Sequence, residues 1–232
     1  MARLRVLAGA ILAAALVLAF AVPASAGGGT AKVRAFHNSP DTPAVDIYVN
    51  GAKALSGVTY GTLSGYLEVP RGTYNLQVKV APSTAGDPAA LEADVRLGAR
   101  PTTVAAIGSL TGDGGALQLK VLRDRDTVSR YLTRLRVAHT SPDAPAVDVQ
   151  VKLAGRWYRI VRNLEFGEAT GYLLLPAWSY RLRIVAAGTN TVVKDLGKVR
   201  LKGGTSSTAW AVGFLTPEDG YPGFDVSISK DG

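Results

Sequence analysis

Apolar and polar residues alternate with a period of two along most of the chain. Val45, Ile47 and Val49 interleave with Asp46, Tyr48 and Asn50, and Leu76, Val78 and Val80 interleave with Asn75, Gln77 and Lys79. That period sends successive side chains to opposite faces of an extended backbone, so each run reads as a half-buried strand. Turn-forming residues punctuate the runs: Asn50-Gly51 suits a two-residue hairpin, Pro70-Arg71-Gly72 a tight turn and Gly112-Asp113-Gly114-Gly115 a longer loop. The pattern predicts strands near 32–37, 44–50, 53–58, 63–69, 73–80, 90–97, 102–108 and 116–122. A second set is predicted near 133–139, 146–152, 156–163, 169–175, 179–186, 191–201, 207–213 and 224–229. No segment after residue 26 keeps an apolar stripe at helical spacing for three turns.

The two sets correspond because the chain repeats itself. His37-Asn38-Ser39-Pro40-Asp41-Thr42-Pro43-Ala44-Val45-Asp46 returns 102 residues later as His139-Thr140-Ser141-Pro142-Asp143-Ala144-Pro145-Ala146-Val147-Asp148. Tyr60-Gly61, Gly65-Tyr66-Leu67 and Pro70 are answered in order by Phe166-Gly167, Gly171-Tyr172-Leu173 and Pro176. A repeat of that length is one domain. With seven or eight short strands in about 100 residues, each copy is expected to be an immunoglobulin-like antiparallel β-sandwich, making the chain all-β with two tandem domains. The first module is placed at 27–122, a charged linker at 123–131 and the second module at 132–232. Tyr74 and Tyr180, each just after a Pro-containing turn, are expected to be corner tyrosines whose hydroxyls bond back to the loop. The second copy is looser: it gains four residues between Asp148 and Phe166 and puts Ala177-Trp178-Ser179 where the first has Arg71-Gly72-Thr73.

The N-terminus changes the cellular picture. Arg3 and Arg5 precede an apolar run from Val6 to Val22, and Ala24-Ser25-Ala26 supplies the small-x-small pattern of a signal peptide, so residues 1–26 are read as an export signal that is removed. The apolar run lies near the lower limit for a membrane anchor, and Pro23 with the small residues that follow favours cleavage. The chain is expected to be secreted or associated with the cell envelope, with no transmembrane span after processing. It has no cysteine, which removes disulfides, thiolate metal sites, thiol nucleophiles and lipid attachment through sulfur. The full net charge is +8, and residues 131–232 carry the larger basic excess, 13 basic against 9 acidic side chains. For an exported chain that balance points to cell-wall polymers, acidic polysaccharide or lipid headgroups and away from nucleic acid; the partner expected is an anionic cell-wall polymer, a glycan or a surface protein.

At His-x-Ser-Pro-Asp-x-Pro-Ala-Val-Asp, followed by Gly-x-x-x-Gly-Tyr-Leu and a Pro-turn-Tyr strand, the chain resembles a bacterial and archaeal exported family catalogued as domain of unknown function 4397. Both copies match, over nearly all of residues 32–230. The resemblance implies an immunoglobulin-like β-sandwich in secreted or envelope proteins, often in tandem, and carries no catalytic residues.

Three chemistries compete for the repeated segment. His37 or His139, oriented by the neighbouring carboxylates and with Ser39 or Ser141 as nucleophile, would make a secreted hydrolase. Asp41 with Asp46, and Asp143 with Asp148, would instead contribute to a calcium-stabilised module, although calcium wants six to eight oxygens and no Asp-x-Asp-x-Asp loop is present. The structural alternative makes Ser-Pro-Asp a type I turn, with the serine side chain as an acceptor, the histidine bonding across the loop and Asp46 and Asp148 accepting backbone amides. The reading adopted is structural: not an enzyme, no metal, no cofactor.

The sharper difference lies in the second module. Arg181 and Arg183 alternate with Leu182 and Ile184, and Lys198, Arg200 and Lys202 alternate with Val199 and Leu201, so each set points to one face of its strand. If those strands share a sheet, up to five cations form a stripe beside the Trp157-Tyr158-Arg159 hairpin, whereas the first module has Asn75, Gln77, Lys79 and Asp94, Arg96, Gly98 at matching places. Trp178 offers an aromatic for a sugar ring or a partner protein, and Trp210, among Ala209, Ala211 and Val212, reads as core. The expected function is therefore that of an exported binding or scaffold protein whose second module takes an anionic envelope polymer or glycan.

Overall fold

A computed structural model describes residues 28–112, 114–126 and 128–231. The export-signal reading of residues 1–26 lies outside the described residues. Sixteen strands and no helix make up the described chain, so among the described residues no helix is long and apolar enough to cross a membrane. The first eight are β1 (Thr30–Asn38), β2 (Val45–Val49), β3 (Ala52–Val58), β4 (Leu67–Pro70), β5 (Gly72–Val80), β6 (Leu91–Leu97), β7 (Thr102–Ile107) and β8 (Gln118–Arg123). The second eight are β9 (Leu132–His139), β10 (Val147–Leu153), β11 (Arg156–Leu164), β12 (Leu173–Pro176), β13 (Ser179–Ala186), β14 (Val192–Arg200), β15 (Thr205–Val212) and β16 (Asp225–Lys230).

The chain divides into two compact units, one holding β1–β8 and the other β9–β16. Each is a sandwich of two four-stranded sheets, ordered β4-β1-β7-β8 and β3-β2-β5-β6 in the first, and β12-β9-β15-β16 and β11-β10-β13-β14 in the second. All pairs are antiparallel except one in each unit: β1 runs parallel to β7, and β9 to β15. Alternation in a sequence reports which side chains are buried but not strand direction, which is why that pair was not foreseen.

The inward faces form the core. Ala31, Val69, Tyr74, Leu76, Val95, Leu97 and Val104 pack together in the first unit, and Val137, Val147, Val149, Val161, Leu164, Ile184 and Val226 in the second. Trp210 is fully buried, its indole N–H donating to Ser229 at 2.9 Å. The corner tyrosines form as expected: Tyr74 donates to the Pro70 carbonyl at 2.7 Å and Tyr180 to that of Pro176 at 3.0 Å. Asn50 and Gly51 have φ of 49° and 79°, the two left-handed positions of a type I′ hairpin. The second unit repeats the turn with Ala154 and Gly155, at φ 46° and 81°.

The four residues gained by the second copy lengthen this hairpin. β10 is 7 residues against 5 for β2, and β11 is 9 against 7 for β3. The charged run read as a linker gives its first three residues, Arg123 to Arg125, to the first unit; Arg123 ends β8 and Asp124 is fully buried.

Candidate functional site

The repeated His-to-Asp segment leaves β1 (or β9) and enters β2 (or β10), and the structure turns its polar groups inward. His37 and His139 are 1% and 0% exposed. The Nε2 of His37 lies 3.0 Å from the Pro43 carbonyl, and that of His139 3.0 Å from the Pro145 carbonyl. A carbonyl only accepts, so Nε2 carries the proton, and each Nδ1 is a buried acceptor with no partner. Burial holds both imidazoles below their ordinary pKa despite these bonds. Neither ring nitrogen hydrogen-bonds to a carboxylate or a serine, and the charges of Asp143 and Glu168 act on His139 only from a distance.

Ser39 is fully buried; it donates its one hydroxyl proton to the Gly108 carbonyl at 2.6 Å and accepts from the Thr42 hydroxyl at 2.6 Å, so it is an acceptor within its turn as well as a donor out of it. Ser141 is as deeply buried, with Asp143 at 3.5 Å. Asp41 lies 3.3 Å from the Ser39 hydroxyl within its own turn and also takes Ser109 Oγ at 2.6 Å and the Leu110 amide at 2.9 Å, holding the loop that connects β7 to β8. Asp143 does the same for the β15–β16 connection, through the amides of Leu215 at 2.6 Å and Thr216 at 2.8 Å. Burial works to raise both carboxyls, and these hydrogen bonds override it and hold them below the ordinary range.

Asp46 and Asp148 accept backbone amides as expected, but from distant segments. Asp46 takes Lys53 Nζ at 2.7 Å, the Gly57 amide at 2.9 Å and Ser83 through both amide and hydroxyl at 2.9 and 2.8 Å. Asp148 takes Arg159 Nε at 2.6 Å and the amides of Asn163 at 2.8 Å and Gly188 at 3.2 Å. Gly57 and Asn163 are equivalent and share a left-handed φ, 61° and 46°, which turns the amide onto the carboxylate. Burial would raise both acids, and the donors outweigh it. Among the described residues no group of three or more His, Cys, Asp or Glu side chains is placed to hold a metal ion.

A second polar constellation, not foreseen, occupies the outer face of the β4-β1-β7-β8 sheet. Arg34 Nε donates to Thr103 at 2.8 Å, Thr103 donates to Asp124, Tyr66 donates to Asp124 at 2.7 Å, and the guanidinium lies 4.5 Å from the Tyr66 ring centre. Arg136, Thr208, Asp231 and Tyr172 repeat it, with 2.9, 2.6 and 2.7 Å bonds and a 4.7 Å ring distance. The available signal was an arginine three residues before each repeated histidine. The first unit also holds an apolar void of about 70 Å³ between its sheets, lined by Phe36, Val45, Leu76, Val104 and His37 among others. Pockets for drug-sized ligands run to about 300–1,000 Å³, several times this volume.

The cationic residues of the second module do share one sheet. Trp157 on β11 faces Lys152 on β10, Lys152 faces Arg181 on β13, and Arg181 faces Lys198 on β14. Strands lie about 4.8 Å apart, so this single row crosses four strands and spans roughly 15 Å. Arg200 stands two pairs further along, opposite Ser179, and Lys202 lies just beyond β14. Lys152, Lys198, Arg200 and Lys202 are exposed. The other two arginines are partly engaged: Arg183 donates to Gln150 at 2.8 Å and packs over the Trp157 ring at 4.2 Å, and Arg181 lies 3.4 Å from Asp195. A polar cleft of about 440 Å³ bordered by Asp148, Arg159, Arg162, Asn163 and Gly188 adjoins the β10–β11 end of this sheet.

The corresponding face of the first module is less basic and is covered at one end only. Its β5–β6 connection, residues 81–90, folds back so that Ser83 meets Asp46, Tyr48 and Lys53, and Lys79 donates to the Ala85 carbonyl at 2.7 Å. In the second module that connection is only residues 187–191. Opposite Asn75, in the place of Arg181, stands Asp94, in the place of Lys198. Trp178, just before β13, is 71% exposed.

The model of a domain of unknown function (DUF4397) matches the sequence twice, over residues 31–150 and 133–223. No curated protein matches the chain in sequence. Among solved structures, the Bacillus anthracis TIE protein is 11% identical with a TM-score of 0.26; the alignment takes in 80% of this chain and 34% of that one, so the chain spans about a third of its length. The carbohydrate-binding module CBMbc (family CBM26) from Eubacterium rectale Amy13K, solved with maltoheptaose, is 13% identical with a TM-score of 0.25, covering 87% of this chain and 97% of that one.

Proposed function

The chain belongs to the DUF4397 family in two tandem copies, and on that premise we propose a non-enzymatic binding protein, exported to the cell envelope or beyond it, whose second module takes an anionic polymer. The observation that carries this reading is the row Lys152–Arg181–Lys198 across one open sheet face, continued by Arg200 and Lys202. Surface lysines are ordinary in themselves. What favours binding is the contrast within one chain: at the positions of the row the same scaffold carries Asn75 and Asp94 in its first copy and Arg181 and Lys198 in its second. Export rests on Arg3, Arg5, the apolar run and Ala24-Ser25-Ala26. The absence of catalysis rests on the two buried histidines, whose ring nitrogens meet no carboxylate and no hydroxyl.

The test is binding of the purified protein to polygalacturonate and to polyphosphate across a salt series. Affinity should fall as salt rises, because exposed charges are screened. Replacing Lys152, Lys198 and Arg200 together by Gln should weaken binding by roughly tenfold, the sum of three exposed ion pairs. Salt-independent binding, or none to either polymer, removes the proposal.

A further inference from the structure

Beside the basic face, three stretches of the second module meet: residues 130–132, 176–178 and 201–204. The Ala177 amide donates to the Tyr131 carbonyl at 2.9 Å, the Leu201 amide to that of Trp178 at 2.9 Å, and the Gly204 amide to that of Leu132 at 2.9 Å. The junction is tight enough that a Cβ on Gly203 would strike the Arg130 carbonyl and approach Ala177 Cβ to 3.0 Å. Two aromatic side chains stand on it. Trp178 is 71% exposed and Tyr131 67% exposed, the two most exposed large apolar side chains among the described residues.

The first module builds the same junction without the rings. There the Arg71 amide donates to the Gly29 carbonyl at 3.1 Å, so Gly29 stands for Tyr131, and Gly72, which opens β5, stands for Trp178. The Arg71 side chain lies over that place, its Nε donating to the Thr30 carbonyl at 3.1 Å. The scaffold therefore needs neither ring. Holding two aromatics in water on a rigid turn is unfavourable unless something covers them.

Cations flank the pair. The Arg130 guanidinium lies 4.8 Å from the Tyr131 ring centre, and Arg200 and Lys202 bracket Leu201, whose amide is bonded to Trp178. A flat apolar surface beside fixed positive charge matches a ring that is apolar on its face and carboxylated at its edge. We infer that Trp178 and Tyr131 form a saccharide-stacking subsite, and that the anionic polymer is a carboxylated polysaccharide rather than a polyphosphate. This rests on the binding reading above and names its ligand class.

The probes are polygalacturonate, which has both rings and carboxylates, its methyl-esterified form, which has rings without charge, and polyphosphate, which has charge without rings. The variant Trp178→Ala/Tyr131→Ala should fold with unchanged melting and lose roughly tenfold in affinity for polygalacturonate, while binding to polyphosphate stays as it was. The wild type should prefer polygalacturonate to both other probes at equal salt. If the variant weakens both anionic polymers alike, or neither, the subsite is wrong, and salt-sensitive polyphosphate binding would leave the basic face standing. If neither anionic polymer binds, both proposals fall. Loss of a self-associated species on the same substitutions, or binding to anionic vesicles alone, would also overturn the saccharide assignment.

Discussion

Arg34 and Asp124 form an ion pair of 3.7 Å in which both side chains are sealed from solvent. They lie 90 residues apart in sequence, and Asp124 follows the last strand of its module. The pair therefore closes the first module by tying the segment after β8 to β1. Arg136 and Asp231 do the same for the second, at 3.6 Å. Removing one partner of a buried pair leaves an uncompensated charge, so Asp124→Asn should destabilise the first module by about 3–5 kcal/mol. Denaturant unfolding followed through the whole chain should show one transition moving early. A shift below about 1 kcal/mol would show that Thr103 and Tyr66 satisfy the arginine without the carboxylate.

The pH response follows from His37 and His139. Both are held neutral by burial, below their ordinary pKa of 6.5. The unfolded chain takes up protons as pH falls through 6.5 and the folded chain resists, so this contribution is complete above pH 6.5 and drains away on acidification. Melting temperature should drop between neutral pH and about pH 5. Replacing both histidines by Leu should flatten that slope whatever it does to the absolute value. The depressed carboxyls of Asp41, Asp46, Asp143 and Asp148 act lower, protecting the fold above the ordinary carboxylate pKa of 3.8 and losing their effect as pH falls through their lowered values.

Chelation should leave stability unchanged. Each of the four acids in the repeated segment already accepts two or more protein hydrogen bonds, as Asp46 does from Lys53, Gly57 and Ser83. Calcium requires six to eight free oxygens in one place. Melting with and without a chelator, in protein prepared with calcium, checks this. A fall in melting temperature with chelator would establish a metal site.

Ala154 occupies a left-handed position, φ 46°, where the first module has Asn50 at 49°. A Cβ is strained there, and asparagine tolerates it better than alanine. Ala154→Asn should stabilise the second module by about 1 kcal/mol. Differential scanning calorimetry would read it as a rise in the second module's transition, and no rise would mean that the turn relaxes its strain elsewhere.

Sequence alone carried the strands well because burial on one face forces the period of two. It placed β5 at 73–80 where the structure has 72–80, and both corner tyrosines made the bonds that their positions required. What it missed depends on who neighbours whom. The parallel pairing of β1 with β7 leaves no mark on either strand. Asp124 looked like one charge in a solvated run, because nothing in Arg123-Asp124-Arg125-Asp126 distinguishes the one carboxylate that turns inward onto Arg34. The basic stripe was legible on β13 and β14, but Lys152 was not, since it joins the row only through cross-strand register.

If the basic row binds as proposed, that register ties hairpin length to binding. The first module shows that this scaffold folds with a β2–β3 hairpin two residues shorter on each strand. The extra pairs in the second module bring Lys152 and Trp157 onto the open face, where Trp157 also pins Arg183 at 4.2 Å. Deleting Lys152, Leu153, Arg156 and Trp157, with Ala154-Gly155 kept as the turn, should therefore preserve a folded second module while weakening salt-sensitive binding to polygalacturonate several-fold. Two effects combine in that loss: Lys152 leaves the row, with the exposed Arg156 beside it on the hairpin, and Arg183 gives up the ring that fixes its guanidinium. Restoring a lysine at the strand end of the shortened hairpin should recover only the first. Unchanged binding in the shortened form would place the ligand away from this face, whatever its charge.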